Sequence, residues 1–292
     1  MIRLEVATVL LQWATGGMFF CWFTTRRRVV GLGYGWLLRG TFAVIAVGSL
    51  VTGLRYDRVP VRDVASAVVA ATCPTGLAIS VIRRRADVRN RRADHDRRSE
   101  RVAEMTGIVR QRSDATGAGP EFPPLVDLLP VVAGVVGLVA AAGDAASGSA
   151  EGSGRYVAVA LARTLVGAAF IGAIIDAMLL GHWYLVQPGL PRRLLNELVG
   201  ALGWVWPAEV AVMLLPTGML AVLAGNVDDG WNGTLGWFWV ACALSTIVLV
   251  VVTNAALRER QYSAVMAATG LLYLALLTAF GTDLVARAVL AG

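Results

Sequence analysis

Hydrophobic residues occupy this chain in long blocks that are separated by short polar stretches. The blocks are close to the length of about 20 residues that an α-helix needs to cross the hydrocarbon core of a bilayer. The sequence therefore predicts an all-α, polytopic integral membrane helix bundle, organised as a single membrane domain over residues 1–292. Eight transmembrane spans are predicted, approximately over residues 4–23, 33–53, 64–82, 125–143, 156–180, 194–223, 235–257 and 263–284.

Composition supports a membrane protein of bacterial origin. Hydrophobic residues make up 57% of the 292 residues, above the share of about 45–50% in soluble domains. The first apolar run is followed by Arg26–Arg28 and not by a small-residue cleavage site, so it is expected to remain as a helix. All 26 basic residues are arginine, which is typical of a GC-rich bacterial genome. We therefore expect a multi-pass protein of the bacterial cytoplasmic membrane.

Arginine placement predicts the orientation. Connections after the odd-numbered spans carry arginines, and those after spans four and six are acidic or nearly neutral. By the positive-inside rule the arginine-rich connections are cytoplasmic, which places the N-terminus and the C-terminus outside. The connection holding Arg55, Arg58 and Arg62 is the discordant one, although Asp57 and Asp63 offset it.

Residues 83–124 form a basic cytoplasmic loop. Its segment Arg83–Arg112 contains eleven arginines and five acids, a net charge of +6 that equals the formal charge of the whole chain. Contact with anionic lipid is the expected role, and docking of a cytoplasmic partner is the alternative. Nucleic acid is not an expected partner, because no aromatic residue between the arginines could stack on bases.

Charged residues at membrane depth are the first candidates for a functional site, since each is costly unless it is paired or hydrated. Arg39 and Asp176 have opposite charge and similar depth in the cytoplasmic half, so we expect them to pair. Arg163 lies in the outer half, where Glu209 is the preferred partner and Asp283 the alternative. These residues either bind a ligand or protons, or only fix the helix register.

The fifth span should be central in the bundle. Arg163 and Asp176 are separated by about 20 Å along one helix and point to different faces, so they cannot neutralise each other. This span must then contact at least two other helices. The sixth span contains Pro207 and Pro216, which predict a kinked helix. Such a helix either lines an internal cavity beside Glu209 or serves only in packing.

The cluster His182, Trp183 and Tyr184 is expected at the cytoplasmic interface. Trp and Tyr there are typical of an aromatic belt, while His182 could instead contact a quinone or carry a proton. The other histidine is His95 in the basic loop, so a bis-histidine haem within one chain is excluded, and no cofactor is predicted. No metal site is predicted, because no Cys or His has ligand spacing to His182.

A faint internal similarity connects two segments of the chain. The segments 18–23 and 178–184 both place aromatic residues before a cytoplasmic arginine cluster. The similarity predicts two parallel four-helix halves, an arrangement known in transporters. A membrane-exit belt accounts for the same pattern.

Two function classes fit these observations. The first is a transporter-like or small-ligand-accommodating protein with an intramembrane polar site formed by Arg39, Arg163, Asp176 and Glu209. The second is a non-catalytic subunit or assembly factor of a respiratory or quinone-linked membrane complex, with a membrane partner beside His182. The pattern does not favour an enzyme, since it contains no GxSxG, P-loop or HExxH motif.

Overall fold

The protein is all-helical in the computed structural model, which describes residues 5–84, 122–147, 154–187, 189–216, 218–259 and 261–290. The described residues contain nine α-helices and one 3₁₀ turn. They are α1 (Val6–Thr25), α2 (Leu32–Tyr56), α3 (Pro60–Ile82), the 3₁₀ turn Pro124–Asp127, α4 (Leu128–Ser147), α5 (Gly154–Val186), α6 (Arg193–Leu214), α7 (Met219–Leu223), α8 (Thr234–Arg258) and α9 (Tyr262–Leu290).

Eight of the described helices, all except α7, are long and apolar enough to cross a membrane. This confirms the predicted all-α class and the predicted number of spans, and it is consistent with a multi-pass membrane protein. The orientation of the termini stays a prediction. Most of the basic loop, including His95, lies outside the described residues.

The eight long helices form two rings of four. In the first ring α1 packs on α2, α2 on α3, α3 on α4, and α4 returns to α1. In the second ring α5 packs on α6, α6 on α8, α8 on α9, and α9 returns to α5. The rings meet where α1 and α4 pack against α5. Each ring is formed by four consecutive long helices, while the parallel relation of the two halves stays a prediction.

Glycines allow α1 and α5 to cross with their backbones in contact. A Cβ atom at Gly16 would collide with the carbonyl group of Ala168, and a Cβ atom at Gly172 would lie 2.7 Å from Gly16 Cα. Small residues of this kind let transmembrane helices approach closely. Helix α5 also contacts α4, α6 and α9, so the prediction that the fifth span is central is confirmed.

The prediction of one long helix over residues 194–223 is wrong. Helix α6 ends at Leu214, and the short α7 begins at Met219. Pro216 has no N–H to continue the ladder, and Leu215 already has an extended ψ of 149°. Pro207, in contrast, lies inside α6 without ending it. The break leaves the last carbonyl groups of α6 in need of donors.

Candidate functional site

The bundle has two sides, which hold different helix ends. The basic side carries Arg26–Arg28 and Arg192, where α1 ends and α6 begins. The N-terminal side is the opposite one, where α1 and α5 begin and α6 and α9 end. Buried charged residues are found towards both sides. In the predicted orientation, the basic side is cytoplasmic.

Arg163 supplies the donors that the end of α6 lacks. Its Nε donates to the carbonyl of Val212 at 2.9 Å, and its Nη2 donates to the carbonyl of Leu215 at 2.7 Å. The Val212 carbonyl is the one that residue 216 would have bonded if it were not proline. The expected partner of Arg163, Glu209, makes no hydrogen bond among the described residues, although the two side chains remain electrostatic neighbours. The open carbonyls of a broken helix bind the guanidinium.

Glu209 is fully buried on α6. Its electrostatic neighbours are Asp283, Arg287 and Arg163. With the acids ionised, neither carboxyl oxygen of Glu209 has a hydrogen-bond donor among the described residues. Glu209 and Asp283 are close enough to interact electrostatically. A proton on either carboxyl group would let it donate a hydrogen bond, because an ionised carboxylate only accepts. The proximity of two buried acids thus suits the binding of one proton.

The acid pair is held in place by Arg287 from the same helix as Asp283. The Nε of Arg287 donates to both carboxyl oxygens of Asp283 at 2.9 Å. Both side chains are buried, at 1% and 2% exposure. Glu209 is therefore the acid of this group that is left without an arginine hydrogen bond.

Gln12 brings α1 to the same group. Its Nε2 donates to the Thr164 carbonyl at 2.6 Å. A Cβ atom at Gly167 would lie 2.9 Å from each of Gln12 Nε2, Asp283 Oδ1 and Arg287 Nη2, so these atoms converge on one glycine. Gln12 Oε1 and Arg287 Nη2 have no hydrogen-bond partner in the described part of the chain. We call Gln12, Glu209, Asp283 and Arg287 the acid-pair site.

Arg39 forms a buried ion pair with Asp127, which corrects the expected pair with Asp176. Its Nε and Nη2 donate to the two carboxyl oxygens of Asp127 at 2.7 and 2.6 Å. Asp127 ends the 3₁₀ turn before α4, at the edge of the predicted span. A bidentate arginine–carboxylate geometry satisfies both partners, so the charge of Arg39 is neutralised without Asp176.

The Phe122 ring covers the Arg39 guanidinium at 4.4 Å. Beside them a small pocket of about 40 Å³ opens on the basic side. It is lined by residues from the end of α1, the α1–α2 connection, α2, the end of α3 and the segment before α4. This pocket belongs to the surroundings of the Arg39–Asp127 pair.

Asp176 is fully buried on α5, and its hydrogen-bond partners in the described chain are hydroxyl groups. Thr24 on α1 lies 2.6 Å from Oδ2, and the hydroxyl of Tyr34 on α2 donates to Oδ1 at 2.9 Å. Asp176 thus connects the two rings on the basic side, without an arginine in hydrogen-bond contact.

A further buried group joins the start of α1, the end of α2 and the start of α3 on the N-terminal side. Arg62 is fully buried, and its Nη1 donates to Glu5 at 2.8 Å. Its Nη2 donates to Asp63 at 3.1 Å and to the backbone carbonyl of Asp57. Burial raises the pKa of the Glu5 carboxyl above its ordinary value, although Thr8 acts in the opposite direction. This network closes one end of the first ring.

His182, Trp183 and Tyr184 do not form one cluster in the structure. His182 is exposed on α5, edge-on to the Tyr273 ring at 6.4 Å. Trp183 packs on Tyr34 at 5.7 Å. Tyr184 is buried and donates to the Pro191 carbonyl at 2.8 Å. Of these three side chains, His182 is exposed and Trp183 is half-buried, so His182 is the most accessible to a partner outside the bundle.

Several buried residues of these sites were not among the sequence candidates, namely Gln12, Thr24, Arg62, Asp127 and Arg287. The spacing of Asp283 and Arg287 is a usable signal, since residues four apart share a helix face. Gln12 is a polar residue within an apolar run, which is a second signal. Arg62 and Asp127 lie at the edges of predicted spans, where a charge is expected to be solvated.

Metal ligands do not converge in the described part of the chain, where no group of three Cys, His, Asp or Glu side chains could hold an ion. The cysteines Cys21, Cys73 and Cys242 are free. The chemistry that the site residues offer is therefore that of carboxyl, guanidinium, amide and hydroxyl groups.

Comparisons with known proteins add no family assignment. No protein-family model matches this sequence, and neither a curated protein nor a solved structure matches it.

Proposed function

We propose that this protein is a proton-coupled, transporter-like membrane protein in which the acid-pair site binds the proton. The observation that supports it is the burial of Glu209 close to Asp283, without a hydrogen-bond donor for Glu209 in the described chain. Two like charges in one site favour the uptake of a proton by one of them. Asp283 is fixed by Arg287, so Glu209 is the group that gains and loses it.

The position of the site suits coupling to movement. Gln12 lies on the first ring, while Glu209, Asp283 and Arg287 lie on the second. Binding of a proton removes a charge from the boundary between the rings, where desolvation makes charge costly. The relative position of the rings would then depend on protonation, as alternating access requires.

Reconstitution into liposomes tests this proposal. We expect proton uptake under an imposed membrane potential to exceed that of empty liposomes and to be lost in Glu209→Gln. Glu197→Gln is the matched control, because Glu197 pairs with Arg27 and Arg193 at the surface. Proton uptake that is unchanged in Glu209→Gln, or equal to that of empty liposomes, would contradict the proposal.

A second candidate function is a subunit or assembly factor of a quinone-linked membrane complex. The exposure of His182 beside Tyr273 favours it, since an imidazole at the bundle surface is available to a quinone or to a partner. Purification from native membranes distinguishes the two functions. Co-purification of redox subunits that is lost in His182→Ala would support the second one.

A further inference from the structure

The hydrogen bonds of Thr24 carry an inference about Asp176. Thr24 Oγ1 lies 2.7 Å from the carbonyl oxygen of Phe20 and 2.6 Å from Asp176 Oδ2. Both contacts have hydrogen-bond length. A threonine hydroxyl has one hydrogen, and a carbonyl oxygen can only accept. If Thr24 donates to Phe20, the hydrogen between Thr24 and Asp176 must come from the aspartic acid.

The surroundings of Asp176 favour its neutral form for a second reason. Its side chain is fully buried. The buried ion pair described on this side joins Arg39 to Asp127, so that arginine is already neutralised. A buried carboxylate without a cation is costly in a membrane, whereas a carboxylic acid with two hydroxyl partners is not.

The groups that face Asp176 come from several helices. Tyr34 on α2 and Cys21 on α1 are its titratable neighbours, and Cys21 also interacts with Arg39 and Asp127. At this depth the buried residues of α6 and α9 are apolar apart from Thr269. The described neighbours therefore present hydroxyl and thiol groups rather than a cation.

We infer that Asp176 holds a proton and donates it to Thr24 Oγ1, which makes it a second proton-binding site, on the basic side. Tyr34 donates to the other carboxyl oxygen and fixes its orientation. Proton transfer here breaks the O–H bond of Asp176 and leaves a carboxylate, with water on the basic side as the acceptor. The protonation state stands independently of the proposed function; only its use in transport rests on that proposal.

Infrared spectroscopy of the purified full-length protein tests the inference. The wild type at neutral pH should show the C=O band of a protonated carboxylic acid, and Asp176→Asn should lose it. Thr24→Val keeps the shape of the side chain but removes the acceptor, so the band should shift to higher frequency. Glu197→Gln is the control, because Glu197 pairs with Arg27 and Arg193 at the surface, so this variant should keep the band unchanged.

The outcomes separate this inference from the proposed function. If Asp176→Asn removes carboxylate bands and leaves the acid band, Asp176 is ionised and the inference is wrong. Should Asp176→Asn fail to fold, an unshifted acid band in Thr24→Val overturns the inference equally. Glu209→Gln should retain the band from Asp176. Its effect on proton uptake therefore bears on the acid-pair site alone.

Discussion

The Nε of Arg163 donates to the carbonyl of Val212 at 2.9 Å, the group that loses its helical donor at Pro216. An arginine on one helix thus terminates the neighbouring helix. The interaction combines hydrogen bonds to open carbonyls with a cation at a helix C-terminus, both of which are favourable. Arg163 also remains an electrostatic neighbour of Glu209. The same guanidinium charge therefore interacts with the end of α6 and with the acid-pair site.

The substitution Arg163→Met should destabilise the protein by about 1–3 kcal/mol for each carbonyl left without a donor. Thermal unfolding in detergent measures the loss. Pro216→Ala restores an N–H that can bond to Val212, so it should recover part of the loss in the double variant. A melting temperature of Arg163→Met equal to that of the wild type would show that the carbonyls find other donors.

The α1–α5 crossing predicts a large effect from a single methyl group. Gly172→Ala forces the backbones apart and should cost about 1–3 kcal/mol, as overpacking does in other cores. Gly40→Ala is the matched control, because a Cβ atom there meets no neighbour within 4 Å. It should be neutral or stabilising, since alanine favours a helix. Equal melting temperatures for the two variants would contradict this crossing.

The Arg39–Asp127 pair should behave as a buried ion pair. Removal of one partner, as in Arg39→Met, should cost about 3–5 kcal/mol because an unpaired charge is left behind. The double variant Arg39→Met/Asp127→Leu should lose much less than the sum of the single changes. A double-mutant cycle of unfolding free energies measures this coupling.

The exposed pair of Arg193 and Glu197 is the control for that cycle. The Arg193 side chain is 78% exposed, so its pair should contribute only about 0.2–1 kcal/mol. Equal coupling energies for the two pairs would mean that Arg39 and Asp127 are solvated.

Asp229 should make the loop before α8 sensitive to acid. Burial by itself would raise the pKa of this carboxyl, but four backbone N–H groups lower it below its ordinary value of 3.8. The donors are those of Trp231, Gly233, Leu235 and Gly236. Because the folded-state pKa is the lower one, the stabilisation is complete above the unfolded value and is lost as the pH falls through the folded value.

Melting temperatures across pH check this expectation. Asp229→Asn should be less stable than the wild type at neutral pH, and the difference should shrink below pH 3.8. Asp228→Asn is the control, because among the described residues Asp228 accepts one hydrogen bond, from the N–H of Gly230. A difference that stays constant with pH would exclude the Asp229 carboxylate as its source.

The span pattern was predictable because the membrane requires it. Helices that cross hydrocarbon must be apolar over a fixed length, and this constraint is visible in the sequence without knowledge of their neighbours. The centrality of α5 followed from the same argument, since Arg163 and Asp176 both had to face protein.

The partners of those charges were not predictable from depth alone. Asp127 lies before α4 at the margin of a predicted span, yet its position opposite Arg39 depends on how α2 and the 3₁₀ turn meet. Arg163 bonds to carbonyls that exist only because α6 breaks at Pro216. From the sequence alone, opposite charges are the expected partners. The sequence does not show which backbone carbonyl groups lose their helical donors.

The acid-pair site and the Asp176 site both connect the two four-helix rings. Gln12 and Thr24 come from α1 in the first ring, and the residues that they approach, Asp283 and Asp176, come from the second. Between them, Gly16 and Gly172 hold the two backbones together. A rocking movement of one half against the other about the contact of Gly16 with Gly172 would therefore change the surroundings of Asp283 and Asp176 at the same time.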